Sequence, residues 1–265
     1  MATKLSPDSV GMLIDITRCI GCRGCQTACK NWNDMPATPT SFTNTWTNPP
    51  VMTGTNLTVV NFNIIEKADG SVMWRSVKEA CFHCNEPACE SACFVHAYVK
   101  TEWGPVVYDP TICVGCRYCM LACPFQIPKY EWDKVFPEVK KCHLCGERLA
   151  MGLEPACATA CPTDSITFGK RTDLLKEAKA RIAANPDKYV NHIYGENEVG
   201  GTSVMYISDV PFKDLGFKTD VTTRGIPQYT WDVLKWTPHI AIGWTAVLTA
   251  LYVYTKRRSE NDDGH

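Results

Sequence analysis

CVGCRYCMLACP, running from Cys113 to Pro124, sets four cysteines at intervals of three, three and four and closes on a proline. The spacing recurs at Cys19, Cys22, Cys25 and Cys29. Cys81, Cys84, Cys89 and Cys93 form a variant with four residues in the middle gap. Cys142, Cys145, Cys157 and Cys161 open that gap to eleven and again end in Cys-Pro. All sixteen cysteines belong to these four groups, whose starts are 62, 32 and 29 residues apart, an internal repeat.

The frame around them is ordinary. A chain of 265 residues, 45% hydrophobic and with a formal charge of -1, makes one or two compact domains that bury roughly 70 to 75% of their unfolded surface. Nothing in that charge balance points to a nucleic-acid partner. Disulfide frameworks belong to small secreted chains that lack a sufficient core, which this chain is not.

Three cysteines two residues apart on a turning loop point at three corners of a cube of iron and sulfide, with backbone amides facing the sulfurs. The fourth, three residues further on where a helix starts, points away and serves a second cube, as in bacterial two-cluster ferredoxins. A proline after it fixes φ and loses no amide donor at the start of the next turn. Structural zinc pairs its CxxC units across a dozen or more residues and has no use for a third cysteine two residues later. Covalent haem needs CxxCH, but Asn85 follows Cys84 and Gly146 follows Cys145. The expected cofactors are therefore four 4Fe-4S clusters. Spacing alone lets group three pair with group two or with group four.

The segments LIDITRCIGCRGCQTACKNWND (13–34), EPACATACPTDSITFG (154–169) and VGGTSVMYIS (199–208) resemble the iron-sulfur (beta) subunit of membrane-bound respiratory formate dehydrogenase, within a wider family of four-cluster respiratory subunits. The resemblance implies an α+β fold of two nested ferredoxin-like modules. Module one comes from residues 11–35 and 140–170, the inserted module from 78–130, and an accessory segment from 171–230. It also implies the ligands: Cys19, Cys22, Cys25 and Cys161 for cluster one; Cys81, Cys84, Cys89 and Cys123 for cluster two; Cys93, Cys113, Cys116 and Cys119 for cluster three; Cys29, Cys142, Cys145 and Cys157 for cluster four. One departure is Phe94, where the family usually has proline; a phenyl ring there is expected to wall its cluster off from water.

Between the groups, LTVVNFNII (57–65) reads as a strand, and Asp69-Gly70 before VMWRSV as the turn of a hairpin expected to cover a cluster face. TDLLKEAKARIAA (172–184) reads as an amphipathic packing helix with Thr172 as N-cap, Leu174, Leu175, Ala178 and Ile182 on one face, and Pro186 beyond its end. Residues 40–56, rich in Thr, Asn and Pro, read as a loop that a partner orders. Trp236 to Thr255 is 20 residues without formal charge, roughly 30 Å of helix, flanked by Trp231, Trp236, Tyr252 and Tyr254, and is expected to be a transmembrane helix within 231–255. Lys256, Arg257 and Arg258 follow it in a charged tail, 256–265, which places the C-terminus in the cytoplasm and the cluster domain in the periplasm, single-pass in the inner membrane. MATKLSPDSVGMLI shows neither apolar h-region nor twin arginine, so export is expected in company with a signal-bearing partner.

Among the histidines, His83 and His143 sit inside the first CxxC of their groups, where an imidazole can hydrogen-bond cluster sulfur or meet solvent. His239, inside the uncharged run, is expected to hydrogen-bond at the interface or lie near a partner's haem or quinone. No dinucleotide loop, P-loop, nucleophile elbow or metal-spaced carboxylate pair is present, so no catalytic residue is expected. Four clusters beside a membrane anchor argue for electron transport over an iron or redox sensor. The resemblance gives the partners: a molybdenum or tungsten catalytic subunit, and an integral membrane subunit with cytochrome b passing electrons to quinone. The equivalent subunit of a nickel-iron hydrogenase or of a polysulfide, nitrite or dimethyl sulfoxide reductase is the alternative.

Overall fold

The computed structural model describes residues 6–42, 45–66 and 69–262; Met1–Leu5, the start of the stretch read for a leader, and the last three residues of the charged tail lie outside them. In chain order the elements are β1 (Val10–Asp15), α1 (Gly24–Trp32), β2 (Val59–Glu66), β3 (Val72–Glu79), α2 (Ala88–Ser91), β4 (Tyr98–Lys100), β5 (Val106–Tyr108) and α3 (Tyr118–Ala122). There follow β6 (Lys129–Tyr130), β7 (Val139–Lys140), α4 (Gly146–Ala150), α5 (Ala156–Thr159), β8 (Ile166–Lys170), α6 (Arg171–Ala184), β9 (Val204–Ile207), α7 (Ile226–Leu234) and α8 (Thr237–Asp262).

Val-Gly-Met-Leu-Ile-Asp at β1 has no polar face, so the strand is covered on both sides. It forms the centre of a three-stranded sheet, antiparallel to β8 and parallel to β9. Alternation along the strands divides the core. Leu13, Met205 and Ile207 meet Leu174, Ala178 and Ile182 of α6 on one face, while Met12, Ile14, Val204 and Tyr206 face the cysteine-rich side together with Cys25 and Cys157. α6 is thus a packing helix with the expected buried face. Its N-cap is Lys170 and not Thr172, because β8 runs straight into the helix without an intervening loop.

The β2–β3 hairpin pairs Val59 with Glu79 through Glu66 with Val72, and Gly70 takes φ 78 at its turn. Its base lies on the first cysteine loop: a Cβ at Gly21 would stand 2.6 Å from Ser76 Oγ and 2.7 Å from the Phe62 ring. The 40–56 segment is anchored within the chain itself, through buried Thr47, Met52 and Asn56, with its Phe42, Trp46 and Val51 side chains exposed. β4–β5 and β6–β7 are short antiparallel pairs before and after the third group.

The chain divides into two compact units, Met1–Ile226 and Pro227–His265. In the second, α8 is continuous and its described side chains are exposed. Among the described residues no helix is long and apolar enough to cross a membrane. The expected span forms as a helix, but Thr237, His239, Gly243, Thr245 and Thr249 dilute its apolar content. The threonine hydroxyls turn inward: Thr245 donates to Ala241 O at 2.8 Å and Thr249 to Thr245 O at 2.8 Å.

Candidate iron-sulfur site

All sixteen thiols are free, so the disulfide alternative has no support in the fold. Among the described residues no three His, Cys, Asp or Glu side chains converge on a single ion.

Each group is built alike. The residue before the second cysteine takes positive φ in every one: Gly21 at 69, His83 at 51, Gly115 at 69 and Leu144 at 57. A left-handed residue there turns successive amides to the inside of the loop, the concavity that binds anions. Gly115 N and Leu144 N each approach the preceding cysteine's sulfur at 3.4 Å. The third cysteine then rides on a helix: Cys25 on α1, Cys89 on α2, Cys119 on α3 and Cys157 on α5. The fourth follows four residues later. On α1 Cys25 and Cys29 are both buried one turn apart, displaced about 6 Å along the axis, a separation at which two thiols can serve neighbouring centres.

Two subtypes emerge. α1 and α3 start after an arginine in the left-handed region, Arg23 and Arg117, whereas α2 and α5 start after the proline of a repeated Glu-Pro-Ala-Cys. Each packed pair takes one of each kind, since α1 lies on α5 and α2 on α3. Groups one and four therefore meet, and groups two and three meet. That is the choice spacing left open.

The thiols' electrical neighbours repeat the pattern. Burial raises the Cys19 thiol, with repulsion from Cys161 and Cys22 adding to it. Burial pushes Cys29 up to about 12, helped by Cys157 and Cys145. Cys84 is raised well above the usual thiol range by burial, then by Cys81, Cys123 and Cys89, and Cys119 is pushed up to about 11 by burial, with Cys113, Cys116 and Cys93 adding to it. Between the modules, Cys142 is raised by burial with Cys29 and Cys81 both contributing. Cys22 and Cys116 alone among the sixteen are exposed.

Three buried lysines interleave with this set. Lys78, on β3, would be lowered by its burial, but Cys157, Tyr206, Cys142 and Cys25 hold it above the ordinary lysine value. Lys100 donates to His83 O at 3.1 Å, to Ser203 Oγ at 3.2 Å and to Gly104 O. Lys141 donates to Val106 O at 2.5 Å and to Cys142 O at 3.0 Å. Ammonium groups are almost never buried unpaired, and here they lie among thiols, as countercharges to anionic centres would. Sequence gave little signal for them, beyond Lys141 preceding a cysteine.

The two histidines diverge. His83 is fully buried, so the solvent-facing option falls away. Its Nδ1 accepts the Val106 N–H at 3.0 Å, which leaves the proton on Nε2, and that buried nitrogen has no partner among the described residues. A donor orphaned beside Cys81 and Cys84 fits a sulfide acceptor. His143 Nε2 is taken by Asn33 Oδ1 at 2.6 Å, and Asn33 Nδ2 reaches Cys29 O at 2.7 Å and Cys29 Sγ at 3.7 Å. Phe94 is 65% exposed, so most of its ring faces solvent. Its turn is nonetheless that of the proline-bearing groups, since His96 N donates to Cys93 O at 3.0 Å as Gln126 N does to Cys123 O at 3.0 Å. His239 lies on α8 with its ring 5.7 Å from that of Trp236.

A family model described as a 4Fe-4S dicluster domain matches residues 72–171. Over 257 residues the chain is 42% identical to a protein of Nitratidesulfovibrio vulgaris, covering 96% of this chain and 68% of that one. It is 34% identical to the hydrogenase-2 operon protein HybA of Escherichia coli O157:H7, covering 97% and 87% of the two chains. The formate dehydrogenase iron-sulfur subunit of Haemophilus influenzae is 34% identical, with 96% and 83% covered.

Proposed function

The chain belongs to the family of formate dehydrogenase iron-sulfur subunits, and we infer from that premise that its thiols carry four 4Fe-4S clusters along which electrons pass between a catalytic and a membrane partner. That it is an iron-sulfur electron-transfer subunit follows from the family. The number of clusters and their ligands rest on the packing of α1 on α5 and α2 on α3. Cluster one takes Cys19, Cys22, Cys25 and Cys161; cluster four Cys29, Cys142, Cys145 and Cys157; cluster two Cys81, Cys84, Cys89 and Cys123; cluster three Cys93, Cys113, Cys116 and Cys119.

Such clusters, when bound, take up and give up single electrons at potentials between roughly -700 and +450 mV. The chain's own part is to hold them dry, in line and charge-compensated. Cys142 neighbours both Cys29 and Cys81, which supports the order one, four, two, three. The exposed thiols, Cys22 and Cys116, then belong to the two end clusters, where electrons enter and leave.

The partners we propose are a molybdenum or tungsten subunit oxidising formate and an integral membrane subunit with cytochrome b that reduces quinone. Likeness to HybA supports a second client, a hydrogenase. Reduction of the clusters in isolated membranes by formate but not by hydrogen fits the first; the reverse fits the second. We further propose that α8 seats against the membrane partner's helices, which would shelter His239 and the threonines, as small and polar residues do between helices in a bilayer. The sidedness expected from Lys256, Arg257 and Arg258, cluster unit in the periplasm, is testable by protease access in spheroplasts.

Iron analysis tests the central reading, because four cubanes require about sixteen irons per chain. Zinc, or a stable protein with one cluster, sinks it. Cys116→Ala is expected to lose or convert one end cluster and stop quinone reduction while the catalytic partner still reduces artificial dyes. Persistent quinone reduction in that variant removes Cys116's cluster from the path.

A further inference from the structure

Two phenols stand beside the end cluster of the inserted module with nothing conventional to bond. Tyr98 on β4 and Tyr108 on β5 are direct register partners, and their rings stack at 4.8 Å between centroids with planes 32° apart. Tyr98 is 1% exposed, and among the described residues neither buried hydroxyl oxygen has a hydrogen-bond partner. Folded proteins avoid orphaned hydroxyls, so such a pair needs an acceptor. What lies beside them is sulfur: Cys93 and Cys119 share one apolar cluster with Tyr98, and Cys113 and Tyr108 pack against it. Tyr98 is paired with the Cys119 thiol and Tyr108 with that of Cys113, with the Val139 amide facing the Tyr108 oxygen.

We propose that Tyr98 and Tyr108 donate O–H hydrogen bonds to the cysteinate sulfurs of Cys119 and Cys113 and so raise the reduction potential of the cluster these residues hold. The proposal rests on the quartet Cys93, Cys113, Cys116 and Cys119 given above. Reduction adds negative charge that spreads onto the sulfurs, so a fixed O–H dipole aimed at them stabilises the reduced form more than the oxidised one. Among the described residues neither phenol proton has another acceptor, and the β4–β5 pairing holds the two rings side by side. Lys141 Nζ lies 5.5 Å from the centre of the Tyr98 ring, and a cation on the ring face strengthens the phenol as a donor. The remaining ligands fit the same end of the potential range. Cys93 Sγ receives the Ala97 N–H at 3.2 Å, while Cys116 is open to solvent, and exposure acts in the same direction.

The test uses the cluster-loaded full chain and a redox titration followed by paramagnetic resonance. Tyr98→Phe and Tyr108→Phe keep both rings and remove only the hydroxyls. At a fixed potential the reduced-to-oxidised ratio of one centre is expected to fall about threefold for each variant and about tenfold for the pair, or about 59 mV for a one-electron couple. The other three midpoints and the iron content stay unchanged. Site-specific 3,5-difluorotyrosine at position 98 keeps the ring and the donor but makes the O–H more acidic, and its shift is expected in the opposite direction. Unmoved midpoints in the double variant with iron intact, or equal signs for the phenylalanine and difluorotyrosine replacements, overturn the proposal. A shift of the expected size and sign in a centre that survives Cys116→Ala upholds the hydrogen bonds and overturns the quartet instead.

Discussion

The left-handed residue inside each CxxC loop decides whether amides can face a cluster, and the four loops meet that demand at unequal cost. Gly21 and Gly115 take φ 69 freely, while His83 and Leu144 carry side chains at φ 51 and 57. Alanine at either glycine would add the strain of a left-handed L residue, about 1 to 2 kcal/mol. At Gly115 nothing lies closer to the new Cβ than the Tyr130 hydroxyl at 3.6 Å, but at Gly21 Ser76 Oγ and the Phe62 ring stand at 2.6 and 2.7 Å. Gly21→Ala is therefore expected to cost about 3 kcal/mol, well beyond Gly115→Ala, once steric repacking is added; denaturant midpoints of the two loaded variants give the comparison. The thiols make a second prediction. Burial pushes Cys25, Cys29 and Cys89 up to about 12, so in the metal-free chain they hold their protons at neutral pH and a ligating thiolate must expel one. Protons then compete with iron, and loading strengthens as pH rises, continuing past the ordinary thiol value of 9.0. Iron retained against a chelator should be lower at pH 6 than at pH 8, with proton release on loading at pH 8. Retention that does not change with pH counts against thiolate ligation by these buried groups.

At the level of elements, the cysteine loops are entered through a matched device. Asp15 caps the turn before Cys19, accepting Thr17 N at 3.1 Å, and Asp109 caps the turn before Cys113, accepting Thr111 N at 2.9 Å. Asp109 is exposed, and among the described residues its carboxylate bonds Thr111 of its own turn. Asp15 is fully buried and also binds Tyr189 Oη at 2.9 Å and Arg181 Nη1 at 3.2 Å, so it ties the loop to α6 and the segment after it. Asp15→Ala leaves a buried phenol and a capped turn without their acceptor and takes from Arg181 one of two carboxylates, Glu177 remaining, and is expected to cost about 2 kcal/mol, against a much smaller loss for Asp109→Ala; thermal unfolding of both variants decides. Equal losses would mean the cap matters and the link to α6 does not. These links explain what sequence made legible. Strong local signals fared well: the alternating 57–65 stretch, the Asp69-Gly70 turn and the face of α6 all appear, with ends moved by one or two residues where β8 abuts α6. The pairing of groups was open to spacing and stays open to the letters, because an Arg-type helix beside a Glu-Pro-Ala-Cys helix allows group three to join either group two or group four; only the packing of α1 on α5 and of α2 on α3 decides. Tyr98, Tyr108 and Lys78 carried no local signal, because what matters in them is which thiols tertiary packing brings alongside.

For the whole molecule the question is whether conduction and attachment are separable. Every buried apolar cluster is drawn from residues 12–215, with Ile226 the last residue packed against any of them, and all sixteen cysteines lie before it. The second unit, Pro227–His265, adds two helices whose described side chains are at most partly buried and contributes to none of those cores. Apolar burial is what stabilises a fold of this size, so removing a segment that buries so little should leave the cluster-bearing unit intact. A chain ending at Ile226 is expected to fold, to bind the same iron per chain as the full protein, and to unfold within a few degrees of it. What it should lose is attachment, with the truncated chain recovered free of the membrane fraction and unable to pass electrons to quinone while still accepting them from the catalytic partner. If the shortened chain binds no iron, the C-terminal unit is part of the fold; if it stays with the membrane fraction and still reduces quinone, α8 is not the anchor, and the exposed Val114, Tyr118 and Leu121 of the third cysteine group become the side chains to mutate next.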